Sequence, residues 1–170
     1  MHRNLLALAF ACAAGAASAQ LSTPDPDWKE AEAPKPPAVR TTGLIPLEIT
    51  GSSLRFGVDP ASVTVAGDGV VRYVVVATSS SGTTNAMYEG IRCSSGEVKV
   101  YARHNPDSGW VPVRNGEWQP IHRTANYRYS LYIARNGACV GGVANGPAVQ
   151  VVRDLRSPPT HRFESSGAIR

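Results

Sequence analysis

Few side chains in this sequence offer chemistry: three cysteines, four histidines and one carboxylate, Glu89, set among apolar neighbours. Met87, Glu89, Ile91 and Cys93 alternate, so in a strand they share one face. A carboxylate on an apolar face has a raised pKa and can serve as a general acid, and with a loop histidine it would make a hydrolase. The commoner role is structural: an ion pair with Lys99 or Arg103 across a hairpin, or hydrogen bonds that fix a loop. His104, His122 and His161 lie in irregular or terminal segments without an HExxH or GxSxG motif. A loop histidine of that kind is more often solvated than a base. The residues therefore assign no catalytic group and imply no cofactor.

The cysteines are read through the compartment. Met1 to Ala19 has the form of a secretory leader: His2 and Arg3, an apolar run from Leu5 to Ala17, and a small-x-small site at Ala17-Ser18-Ala19. Acylation of Cys12 and an uncleaved anchor are the competing readings, and Ala9-Phe10-Ala11 lacks the residues a lipobox prefers. Cleavage after Ala19 would leave Cys93 and Cys139 in the oxidising periplasm, where an even count argues for a disulfide. Closing that loop contributes roughly 3–4 kcal/mol in the chain-entropy account. Neither cysteine sits in a CxxC or Cys/His spacing, which argues against a metal site. A nucleophilic Cys93 beside Arg92 is the weaker alternative.

Charge is distributed unevenly. Residues 20–91 carry five Lys/Arg against eight Asp/Glu, and residues 92–170 carry eleven against five. Arg92, Lys99, Arg103, Arg114, Arg123, Arg128 and Arg135 could line one side of a hairpin, loop and helix. Arg92, Lys99, Arg103 and Arg128 are the candidate anion-binding residues. In an envelope the partner would be an anionic polymer or an envelope protein. Nucleic acid is in the wrong compartment, and no recognition module is visible. The plain alternative is a set of scattered, solvated arginines. No second long apolar run follows the leader, so the cleaved chain is not expected to span a membrane.

The elements that must position these residues follow from pattern. Residues 20–42 read as a proline-rich linker in which Trp28 is the one large apolar side chain, a peg onto the domain or a contact for a partner. Short apolar runs bounded by Gly, Ser and Pro mark strands from Leu44 onward. Val70 to Ala77 is apolar on both alternating faces, so it belongs mid-sheet with a cover on each side. Ser94-Ser95-Gly96 suits a hairpin loop whose last residue is left-handed. Pairing Cys93 with Glu97 would set Glu89 opposite Tyr101. His104 to Ile121 reads as irregular, pinned by Trp110 and Trp118. A helix is expected over Asn126 to Arg135, a second over Ala148 to Arg156, and a disordered tail over 157–170. The expectation is one α+β domain over 43–156: an antiparallel sheet of about five strands with one or two C-terminal helices packed on it.

Tyr88-Glu89-Gly90-Ile91-Arg92-Cys93, with Gly96 and Tyr101-Ala102 after it, is the most specific stretch. It stands with Leu44-Ile45-Pro46, Gly69-Val70-Val71-Arg72-Tyr73, Trp118-Gln119-Pro120-Ile121, Trp28-Lys29-Glu30 and Cys139. Together these resemble the CNP1-like family of small exported proteobacterial proteins, over roughly residues 28 to 156. The resemblance implies export from a Gram-negative cell and pairing of the two motif cysteines. It brings no cofactor and no catalytic residues. Family members tend to carry a His-rich, Ala-rich helix before the second cysteine, and this chain has Asn126-Tyr127-Arg128-Tyr129-Ser130-Leu131 instead. The functional expectation is a periplasmic, non-enzymatic, envelope-associated binding or maintenance protein. The alternatives are an envelope hydrolase using Glu89, or an accessory subunit that docks a partner through its N-terminal arm.

Overall fold

The computed structural model describes residues 25–123 and 128–157. The expected leader with Cys12, the first residues of the helix expected from Asn126, and the tail beyond Ser157 lie outside the described residues. Eight strands form one antiparallel sheet: β1 (Ile45–Leu47), β2 (Arg55–Val58), β3 (Thr64–Val65), β4 (Val70–Thr78), β5 (Thr84–Arg92), β6 (Glu97–Asn105), β7 (Gly109–Pro112) and β8 (Gln119–Pro120). The order is β1-β2-β4-β5-β6-β7, with β3 following β2 along one edge of β4 and β8 sharing the outer edge of β6 with β7. Behind it come α1 (Arg128–Ile133), a wider π turn (Ala134–Ala138), the β9–β10 hairpin (Cys139–Val140 and Val143–Ala144) and α2 (Ala148–Arg156).

The α+β class is as the sequence indicates, but the sheet has eight strands among the described residues rather than about five. Two of the additional ones, β7 and β8, fall in the segment read as irregular. Pro112 and Pro120 end them, and at four and two residues they are too short to show an alternating pattern.

Val70 to Ala77 is buried at every position, and two different covers account for this. Val71, Tyr73, Val75, Ile91 and Val98 face the helical layer, packing on Tyr129, Ile133, Val151 and Leu155. Val74, Val76, Tyr88 and Ala102 face the other way, onto Ala33, Val39 and Leu44 of the N-terminal arm. The proline-rich arm thus serves as the second cover. With Pro34, Pro36 and Pro37 it cannot supply a ladder of N–H donors, so side chains hold it. Trp28 Nε1 donates to the Asp68 carbonyl at 2.8 Å, and Trp110 Nε1 donates to the Pro37 carbonyl at 2.7 Å. Glu30 accepts from Lys99 Nζ at 2.8 Å, the Tyr101 hydroxyl at 2.8 Å and Trp118 Nε1 at 3.2 Å.

The motif Tyr88 to Cys93 reads in these terms as a crossing between the two covers. Tyr88 packs under the arm, while Glu89 and Ile91 are buried under the helices. Arg92 stacks over the Trp28 ring at 3.8 Å. Gly90 has no space for a side chain, since a Cβ there would lie 2.8 Å from both the Tyr101 hydroxyl and Val70. Cys93 closes the stretch with a disulfide to Cys139, tying the sheet to the end of the π turn. Replacing both cysteines by serine should lower stability by roughly 3–4 kcal/mol in the chain-entropy account. Urea titration of the double variant beside the oxidised wild type checks this, and equal midpoints would contradict it.

Candidate functional site

The β5–β6 register decides which charges meet. The turn pairs Arg92 with Glu97, not Cys93 with Glu97, so Glu89 stands opposite Val100, and beyond that pair a bulge leaves Tyr101 as an extra residue. A one-residue slip moves side chains to the other face. Lys99 and Tyr101 therefore join the arm face, where Glu30 binds both. Glu89 joins the helix face, and the expected ion pair with Lys99 does not form. Arg103 lies on the Glu89 side but places Nη1 3.3 Å from Met87 Sδ rather than on the carboxylate.

Glu89 is instead held by hydroxyls. Its Oε1 accepts from Tyr129 at 2.6 Å, and its Oε2 accepts from Tyr73 at 3.2 Å and Ser130 at 3.3 Å. The residue is fully buried. Burial raises its pKa to about 7, against the pull of these three hydrogen bonds and a smaller contribution from the Arg103 charge. Tyr73 is also sealed, and burial together with the Glu89 charge keeps its hydroxyl protonated and donating. Of the three partners, Tyr73 is the direct cross-strand neighbour of Glu89, a pairing set by the β4–β5 register rather than read from the sequence. Tyr129 and Ser130 come from α1, and nothing in the spacing announces them.

Tyr129 separates this buried acid from an open cleft of about 710 Å³ at the far end of β5. The floor is apolar: Ile49, Leu54, Phe56 and Met87, with Phe56 stacked on Tyr129 at 4.7 Å between ring centroids. Arg103 from β6 and Arg128 from α1 line it together with His104, and among the described residues no carboxylate lines the cleft. Arg128 Nη2 donates to the Thr50 carbonyl. Among the described residues neither arginine makes an ion pair. The other two anion-binding candidates are engaged on the opposite face, Lys99 with Glu30 at 2.8 Å and Arg92 with Trp28 and Glu97. The expected single basic side is therefore split by the bulge, which turns Lys99 and Arg103 to opposite faces, and of the four candidates Arg103 and Arg128 are the two that converge on an open site.

His122 is exposed in the short 3-10 turn after β8 and is not among the residues that line the cleft, and His161 lies outside the described residues. Among the described residues no three His, Cys, Asp or Glu side chains cluster as metal ligands. No helix among them is long and apolar enough to cross a membrane.

A two-faced antiparallel sheet, covered by a disulfide-tied helical layer on one side and by its own N-terminal arm on the other, defines a small α+β domain with an open cationic cleft. The chain belongs to the CNP1-like family, whose model matches residues 23–156. It is similar to cryptic neisserial protein 1 of Neisseria gonorrhoeae, at 27% identity over 128 residues that cover 66% of this chain and 63% of the relative. The match thus spans less than two thirds of that relative's length. No solved structure matches the chain.

Proposed function

We propose that this is an exported, non-enzymatic binding protein of the cell envelope that receives anionic material in the Arg103–Arg128 cleft. The observation that carries the reading is the convergence of two guanidinium groups, from β6 and α1, on a cleft that among the described residues has no carboxylate. Two such cations beside apolar side chains give the cleft a positive potential. The periplasmic assignment draws support from the leader pattern of residues 1–19 and from the disulfide, which suits an oxidising compartment. The hydrolase alternative needs Glu89 to reach a substrate. Burial and the occupation of both its oxygens by Tyr129, Tyr73 and Ser130 argue for a structural acid instead. The accessory-subunit alternative needs a free arm, and in this fold Trp28 and Glu30 are engaged by the chain's own sheet.

Co-sedimentation of the oxidised mature chain with peptidoglycan sacculi and with lipopolysaccharide vesicles tests the reading. Pelleting is expected at low salt and should fall as salt rises. The Arg103→Glu/Arg128→Glu variant should bind at least about tenfold more weakly, from the loss of two charge-assisted contacts. Arg153→Glu, an exposed charge on α2, should bind as the wild type does. Equal loss in both variants would reduce the effect to net charge and remove the cleft from the account.

A further inference from the structure

The cleft is divided chemically, and the division specifies a ligand. One part of its wall is aliphatic and aromatic: Leu54, Phe56 and Met87, with Leu54 39% exposed despite its size. Tyr129 adds a ring face only, because its hydroxyl is committed to Glu89. The polar part of the lining is Ser52, Ser53, Asn85 and His104 with the pair of guanidinium groups, whose planar forks suit a carboxylate or phosphate. A strand of sugar would leave the apolar part unfilled, and a purely apolar ligand would leave Arg103 and Arg128 without an anion. The volume of about 710 Å³ lies within the range of small-molecule sites.

We propose that the cleft takes a single anionic headgroup carried on an unbranched apolar chain, with Arg103 and Arg128 on the head and Leu54, Phe56 and Met87 along the chain. This rests on the cleft being the binding site and adds the class of molecule it selects. A free fatty acid and an envelope phospholipid with an anionic phosphate headgroup share that chemistry.

Calorimetric titration of the oxidised chain with butanoate, hexanoate, octanoate and decanoate, all below micelle formation, tests the proposal. A fully buried methylene contributes about 0.8 kcal/mol, so a half-buried chain should bind roughly fourfold more tightly for every two methylenes added. Octyl phosphate should bind like octanoate, and neutral octyl maltoside at least about tenfold more weakly. Arg103→Gln and Arg128→Gln should each weaken octanoate about tenfold while keeping its dependence on chain length. Leu54→Ser, on a partly exposed side chain the fold does not need, should flatten that dependence. Phosphatidylglycerol vesicles separate the sources: capture of vesicles assigns a lipid headgroup, and binding of decanoate without capture assigns a free acid. Affinity independent of chain length, equal binding of octyl maltoside, or no binding of any amphiphile would each overturn the proposal. If sacculi still pellet the protein through Arg103 and Arg128 while no amphiphile binds, the envelope-binding reading stands and this one falls.

Discussion

Replacing Asp68 with alanine is expected to destabilise the fold by about 3–5 kcal/mol, the range for removing one partner of a buried ion pair. The Arg72 side chain is fully enclosed, and that of Asp68 is 2% exposed. Arg72 Nη2 lies 2.6 Å from Asp68 Oδ2, and Nη1 lies 3.3 Å from Oδ1. Asp68 also accepts from the Ala31 and Val70 amides, while Arg72 donates to the Ala31 carbonyl at 3.1 Å. The pair therefore clamps the arm to the β3–β4 turn. Without the carboxylate a buried guanidinium is left uncompensated, and the arm loses the acceptor of its Ala31 amide. Asp68→Ala/Arg72→Met should recover most of the loss, because the desolvated charge goes with the partner. Urea titration measures the stability, and protection of the Ala31 amide from exchange reports on the arm. A double variant no more stable than Asp68→Ala would show that the clamp's contribution is not the unpaired charge.

Stability should fall between pH 5 and pH 8 because of Glu89, and Glu89→Gln should remove most of that fall. Burial raises the pKa of this carboxyl from the ordinary 4.5 to about 7 in the folded chain. Between those values the folded state holds the proton more tightly than the unfolded state, so stability decreases as pH rises through the window and levels off above it. The full shift corresponds to roughly 3 kcal/mol. Asp68 has the opposite sign. Burial raises its pKa, but the hydrogen bond from Arg72, the Val70 and Ala31 amides and the Arg72 charge outweigh that and hold it below its ordinary value. Its contribution is present above the unfolded carboxylate pKa and is lost as pH falls through the folded one. Denaturation midpoints from pH 4 to 9 separate the two carboxylates. A wild-type profile that stays level from pH 5 to 8 would contradict the assignment to Glu89.

The legible part of the fold was whatever local pattern specifies. Val70 to Ala77 reads as a central strand because both of its faces are apolar, and it lies mid-sheet. Gly96 as the last loop residue marks a left-handed position, and its φ is +65°. Cys93 and Cys139 leave one possible pairing once Cys12 is set aside, and that bond is present. Family membership was also legible, since Tyr88 to Cys93 is a contiguous string of residues.

Tertiary structure decided the rest. The turn register, with Arg92 opposite Glu97, sets Lys99 opposite Gly90 on the arm face, and the extra residue Tyr101 then returns Arg103 to the Glu89 face; no one-strand pattern encodes a register or a bulge between two strands. That register is why Lys99 parted from Glu89 and found Glu30, 69 positions earlier in the chain. The arm's covering role was hidden for a related reason: a proline-rich segment has no periodicity, and only the groove it fills gives it a structure. The cleft joins residues near Ile49, Met87, Arg103 and Arg128, four separate parts of the chain. Sequence alone determined which side chains were available for recognition. The sheet's register and the placement of α1 determined which two of the arginines meet, because long-range packing, not local preference, sets where a strand's faces point.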